Sequence, residues 1–175
     1  WNFPIAIPAW KMAPAMVSGN CVVLKPASQA PAMSFELAHA LDEAGLPKGV
    51  LNVLAGEGRT VGSELASHPA VIALSFTGSH TVGHQIYLQL AQRMARAQME
   101  MGGKNPTIVL ADADLDLATT LVVKAGFGLT GQACTATSRV IVEKSVLEPF
   151  IEKLIAKTKA LKVGNGLAPN VEMGP

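Results

Sequence analysis

Val71-Ile72-Ala73-Leu74-Ser75-Phe76-Thr77-Gly78-Ser79 carries an apolar, partly β-branched run straight into a glycine turn. Beyond Ser79 the spacing turns helical to about Arg93, and Ala97 to Met101 is extended again before Gly102-Gly103. A strand, a helix and a strand on short connections form a βαβ unit, whose two strands must run parallel. The pattern repeats upstream. Asn20 to Lys25 predicts a strand stopped by Pro26, and Pro31 to Ala44 a helix ended by Gly45. Val50 to Leu54 predicts a second strand, followed by a glycine turn at Gly56 and Gly58 and a short helix to Ala66. Downstream of the double glycine, Thr107 to Leu110 reads as a strand, and Asp114 caps a helix to about Phe127. Arg139 to Glu143 is a further strand, and Ser145 with Glu148 has the spacing of a capping box for a last helix ending near Lys162. The expected class is α/β: a parallel sheet with helices on both faces and a domain boundary at Gly102-Gly103. In such sheets ligands bind beyond the carboxyl ends of the strands, so the residues after each strand carry the functional reading.

Composition narrows the classes further. The 175 residues hold 14 Lys+Arg against 13 Asp+Glu, a net charge of +1, with 49% apolar side chains. That is too apolar and too weakly charged for a disordered chain, and it gives no electrostatic reason to expect a nucleic acid. No apolar run approaches the ~18 residues of a membrane span, and no signal segment opens the chain. Cys21 and Cys134 stand far apart, so a reducing cytoplasm is the expected compartment. The chain opens on Trp1 and stops at Pro175 without a polar tail, which reads as a piece of something longer.

Gly56-Glu57-Gly58-Arg59-Thr60-Val61-Gly62 joins strand to helix, but its last interval is one residue longer than G-x-G-x-x-G. Phe76-Thr77-Gly78-Ser79 with Gly83 is a second strand-to-helix turn. Each is either an ordinary tight turn or a pyrophosphate site built on unpaired helix N–H groups. Lys25 ends a strand where it meets a ribose or phosphate, or simply water. Ser28, three residues on, is neutral, so it does not repel a 2′-phosphate as a carboxylate there does.

Gly131-Gln132-Ala133-Cys134-Thr135-Ala136 is a glycine-led turn with a cysteine before a strand. Nearby N–H groups would stabilise a thiolate there and make it a nucleophile; the other reading is a small buried hydrophobe. Cys21, inside a strand, reads as the buried hydrophobe. Glu100 lies in the apolar stretch Met99-Glu100-Met101, where burial would make it a general base; otherwise it pairs with Lys104. The Asn2 amide either holds an oxyanion or satisfies a turn. His80 and His84 share a helix face but lack a third ligand, so no metal site is expected. Lys153, Lys157 and Lys159 form the solvated face of a packed helix.

Taken together, Trp1-Asn2-Phe3-Pro4, Lys25-Pro26-Ala27, Phe76-Thr77-Gly78-Ser79 with Gly83, Glu100-Met101-Gly102-Gly103-Lys104 and Gly131-Gln132-Ala133-Cys134 resemble the aldehyde dehydrogenase superfamily. The motifs follow in the family's order along nearly the whole chain. Trp1 through Ala15, Glu100 through Pro106 and Cys134-Thr135-Ala136 before Ser138-Arg139 are most similar to bacterial α-ketoglutarate semialdehyde (2,5-dioxopentanoate) dehydrogenases. The resemblance implies a Rossmann-like NAD(P)-binding portion over residues 1–102 and the start of an α/β catalytic domain over 103–175. It covers only a central slice of a family member.

The resemblance also implies roles. Cys134 would be the nucleophile, Glu100 the general base, and Asn2 the oxyanion amide acting with the Cys134 backbone N–H. Lys25 and Ser28 would face the adenosine ribose, Ser79 and Val82 the pyrophosphate, and Gly58 and Gly62 the adenine side. Trp1, Phe76, Gly78, Met101 and Gly102 complete the cofactor set, with NAD and NADP both open because many NAD-preferring members have a glutamate where Ser28 stands. The implied reaction is oxidation of an aldehyde to its acid through a cysteine thioester, in a cytoplasmic dimer or tetramer. The alternatives are acyl transfer to coenzyme A, a cofactor-binding fragment without turnover, and a purely structural domain.

Overall fold

The βαβ unit read from residues 71–101 is present in the computed structural model, which describes Trp1–Pro175. Strand β3 (Ala73–Gly78) leads into α4 (His80–Gln92), and β4 (Arg96–Met101) returns parallel to β3. The ladder runs from Ala73 opposite Arg96 to Gly78 opposite Met101, which sets Thr77 beside Glu100. For clarity the elements before it are α1 (Ala6–Val17), β1 (Val22–Leu24), α2 (Pro31–Glu43), β2 (Leu51–Val53) and α3 (Ser63–Ser67). Strands β1 and β2 are parallel, with α2 as their crossover. Pro31 occupies the first turn of α2, where a helix N–H has no partner to lose. Gly45 takes φ +90° and closes the other end, its N–H donating to Asp42 O at 2.9 Å and that of Leu46 to Leu41 O at 3.0 Å.

Backbone contacts divide the chain into two compact units, Trp1–Met101 and Gly102–Pro175. The second unit is one more βαβ arrangement: β5 (Asn105–Val109), α5 (Leu115–Phe127) and β6 (Thr137–Val142), followed by α6 (Leu147–Ala160). Asp114 caps α5, its carboxylate accepting from the N–H groups of Asp116 at 2.9 Å and Leu117 at 3.1 Å. Val109, Val122 and Phe150 form the core of this unit, with Leu115, Val140, Val142 and Leu154 packed against them. Thr119 is buried in α5 and hides its hydroxyl by donating to Leu115 O at 2.7 Å.

Four expectations need correction. The strands do not join one sheet; they form three separate parallel pairs, β1–β2, β3–β4 and β5–β6. Nor are both faces fully covered: Val23, Ile108 and Ile141 are exposed. Ser145 caps nothing. It lies in a 3-10 turn over Lys144–Val146, and α6 starts afterwards with Val146 at its N-cap and no side-chain cap bond. Cys21 precedes β1 and is exposed rather than buried.

The sequence reading also places no element over α1. Pro4, Pro8 and Pro14 argue against a helix there, yet Pro8 sits in the first turn, and Pro14 is carried inside the helix. The N-cap, Ile5, makes no capping bond, so the helix shows neither start signal.

Candidate active site

In the first unit Lys25, Ser28, Gly58 and Gly62 follow the ends of β1 and β2, and Phe76, Gly78, Ser79, Val82 and Met101 lie at or just beyond the ends of β3 and β4. At the carboxyl ends of β1 and β2, the Lys25 ammonium donates to Pro26 O at 2.6 Å and Gly56 O at 3.3 Å. The Ser28 hydroxyl donates to the same Gly56 carbonyl at 3.4 Å. Gly62 stands behind the lysine: a Cβ built there lies 3.7 Å from Lys25 Cδ. Lys25 is half-buried, and burial pushes its ammonium below the ordinary lysine range. The segment Gly58–Gly62 winds as a single π-helical turn into α3, so it is not a dinucleotide fingerprint in shape either. Gly58 has open space where a side chain would be.

The second cluster sits where β3 and β4 end. The Phe76 ring folds back over its own turn, so a Cβ on Gly78 would collide with Phe76 Cζ. Gly83, buried in α4, is as tight: its Cβ would lie 2.6 Å from Met101 Sδ and 3.2 Å from Phe76 Cε1. These two glycines let Phe76 and Met101 close on the start of α4. Ser79 is the N-cap, accepting from the Val82 N–H at 3.4 Å, and the His80 and Thr81 N–H groups of the first turn have no partner within the helix. An ammonium, two serine hydroxyls and a helix N-terminus form a donor set with the chemistry to take ribose hydroxyls and phosphate oxygens. The residues therefore fit a dinucleotide.

Glu100 is not buried as the sequence suggested; it is exposed on β4, since its alternating neighbours Met99 and Met101 take the covered side. Its carboxylate accepts from Gln98 Nε2 at 2.9 Å. Gln98 Oε1 in turn accepts from Lys11 Nζ at 2.6 Å, and Lys11 also reaches Ser75 Oγ at 2.6 Å and Phe76 O at 3.4 Å. Burial pushes the Lys11 ammonium below its ordinary range, and the Glu100 charge pulls it partly back. Asn2 is half-buried and Trp1 exposed, both just ahead of α1. His80 and His84 stack with ring centroids 6.1 Å apart, and no cluster of three or more His, Cys, Asp or Glu is present.

In the second unit Cys134 is exposed on a turn, closed by the Ala136 N–H donating to Ala133 O at 3.0 Å. Asn105, at the start of β5, donates from one amide nitrogen to Cys134 O at 2.7 Å and Ala136 O at 3.2 Å. Leu129, Thr130 and Gly131, just before the turn, take φ of 51°, 58° and 71°. Gly102 and Gly103 are exposed ahead of Asn105.

A family model, "Aldehyde dehydrogenase family", matches residues 1–175. The chain belongs to the aldehyde dehydrogenase family. It is 52% identical over 175 residues to alpha-ketoglutarate semialdehyde dehydrogenase of Haloferax volcanii, covering all of this chain and 36% of that protein. Alpha-ketoglutaric semialdehyde dehydrogenase of Bacillus subtilis is 51% identical, with 100% and 36% covered. Among solved structures, 3,6-anhydro-L-galactose dehydrogenase in complex with NAP superposes with a TM-score of 0.94 at 42% identity, over 100% of this chain and 37% of that one. The chain thus spans little more than a third of the length of these aldehyde dehydrogenases.

Two polar groups at these sites escaped the sequence reading. Lys11 is the one charged residue before Lys25, a signal passed over because α1 itself was unread. Asn105 stands outside the strand read over Thr107 to Leu110 and was given no role; only the fold carries it to the Cys134 turn.

Proposed function

We propose that the protein carrying this chain oxidises a semialdehyde to its carboxylic acid with a nicotinamide cofactor, with Cys134 as nucleophile. The observation that carries this is the exposed Cys134 thiol on a turn held by side-chain and backbone hydrogen bonds. The two α-ketoglutarate semialdehyde dehydrogenases at about half identity support a semialdehyde with a second carbonyl as the substrate class.

In this reading the Cys134 thiolate attacks the aldehyde carbon, and the Asn2 amide with the Cys134 N–H receives the oxyanion. When bound, the nicotinamide supplies the electron-pair acceptor that turns the adduct into a thioester. Glu100 then removes a proton from water, which attacks the thioester, releases the acid and returns the thiol. Hydrolysis needs a base that acyl transfer to coenzyme A does not, so a glutamate at position 100 favours hydrolysis. Lys25 and Ser28 hold the adenosine ribose, Gly58 and Gly62 border the adenine, and Ser79 and Val82 bind the pyrophosphate. Trp1, Phe76, Gly78, Met101 and Gly102 line the rest of the cofactor path. Ser28 brings no negative charge to a 2′-phosphate, and the NAP-bound relative supports NADP use beside NAD. We place the reaction in the cytoplasm, in a homo-oligomer of the full protein. No helix is long and apolar enough to cross a membrane.

The test is aldehyde-dependent NAD(P)H formation by the full protein, with Cys134→Ala beside it. The variant should bind cofactor and lose turnover; dehydrogenase activity that survives in it overturns the nucleophile assignment. Product formation that depends on added coenzyme A would overturn hydrolysis.

A further inference from the structure

The geometry points to Asn105 as the positioning residue of the Cys134 turn, an inference that rests on the nucleophile assignment above. A single amide nitrogen spans two carbonyls, Cys134 O at 2.7 Å and Ala136 O at 3.2 Å. Together with the Ala136 N–H to Ala133 O bond at 3.0 Å, this holds peptide planes on both sides of the cysteine and closes the turn. The Cys134 N–H lies in the Ala133–Cys134 plane, and the direction of the Cα–Cβ bond that carries Sγ follows from the planes on its two sides. A short, uncharged side chain needs an amide for this: one nitrogen carries two donor hydrogens, whereas a carboxylate has none and a hydroxyl one.

Asn105 is itself aimed. The β5–β6 ladder shifts register between Asn105, opposite Thr137, and Pro106, opposite Arg139, leaving Ser138 as an extra residue. Such a bulge bends the strand and redirects the side chain beside it. The irregular end is tied down by Arg139, whose guanidinium donates to Lys104 O at 3.2 and 2.8 Å, and by the Ser138 hydroxyl, 3.4 Å from Asn105 O. A Cβ on Gly103 would lie 3.4 Å from Asn105 Oδ1, so the oxygen end of the amide packs toward that glycine while the nitrogen faces the turn.

The segment entering the turn needs such a clamp. Leu129 and Thr130 hold left-handed backbone at φ 51° and 58°, a conformation that side chains other than glycine adopt at a cost and keep only when neighbours impose it. The Gln132 N–H to Leu129 O bond, at 3.0 Å, holds the near side of this loop, and Asn105 holds the far side. Asn105 therefore sets the attack geometry of a thiol it does not touch. Displacing a reacting group by about an ångström can cost on the order of a hundredfold in rate, so loss of the clamp reads in kcat rather than in cofactor affinity.

The experiment uses Asn105→Asp and Asn105→Ser in the full protein. Iodoacetamide labelling is followed by peptide mass spectrometry, with exposed Cys21 as internal control. Steady-state kinetics run in parallel. Asn105→Asp should lower both the Cys134-to-Cys21 labelling ratio and kcat by about tenfold or more, with the cofactor KM unchanged. Asn105→Ser, which keeps one donor, should recover part of both. If Asn105→Asp fails to fold, the serine variant decides alone: a slowed Cys134 with an unchanged Cys21 supports the clamp. Labelling ratio and kcat within twofold of wild type, or a loss shared equally by both cysteines, overturns it. A wild-type protein that turns over no aldehyde refutes the function, while the labelling ratio still reads the clamp.

Discussion

Gly83→Ala sets two effects of opposite sign against each other at the start of α4. Helix propensity alone favours alanine over glycine in a helix interior by about 1 kcal/mol. Packing opposes it, because the new methyl would stand 2.6 Å from Met101 Sδ, 3.0 Å from Met101 Cγ and 3.2 Å from Phe76 Cε1. Overpacking a buried site costs about 1–3 kcal/mol, and the flexible Met101 thioether can give way more readily than the Phe76 ring. The difference leaves a net destabilisation of about 1 kcal/mol. Urea denaturation reads it as a lower midpoint at unchanged slope. Met101→Ala removes the clashing atoms, so the double variant should be more stable than the sum of the singles by about 1 kcal/mol. A Gly83→Ala protein about 1 kcal/mol more stable than wild type would mean that propensity alone acts and that Phe76 and Met101 do not close on the helix.

Phe150→Ala empties the core of the second unit, where Phe150 is 1% exposed against Val109 and Val122. It should cost about 3–5 kcal/mol by urea denaturation, and a loss under about 1 kcal/mol would contradict this core. The pH dependence of stability carries a sign that can be checked at Asp116. The hydrogen bond and charge of Lys153 hold the Asp116 carboxyl below the ordinary range. A group with a depressed folded pKa stabilises above its unfolded pKa, and loses that contribution as pH falls through the folded one. Lys153→Met should therefore flatten the fall in urea midpoint on acidification below the usual carboxylate range; an unchanged profile would remove the ion pair from the account.

The βαβ order was legible because strand and helix periods, glycines after helices, and the Asp114 cap are local signals. The α1 helix was not, since its prolines and uncapped start mimic a loop while tertiary contacts carry it. Ser145 with Glu148 shows the reverse: a capping spacing that a 3-10 turn overrides. The burial of Glu100 was misread because an apolar neighbourhood in sequence says nothing about which side of a strand a residue takes. Gly78, read as part of a turn, is also a close approach, with the Phe76 ring lying over it. The contacts of Lys11 with Gln98 and of Asn105 with Cys134 span long stretches of chain, and no local pattern announces them.

The most direct test of the central claim is mass spectrometry of the Cys134 peptide from a Glu100→Gln full protein, quenched during turnover of a semialdehyde with NAD(P). Without the base, water is not activated, so one equivalent of NAD(P)H should form per site and the acyl group should remain on Cys134 as a thioester. Steady turnover at the wild-type rate with an unmodified Cys134 peptide would contradict the account.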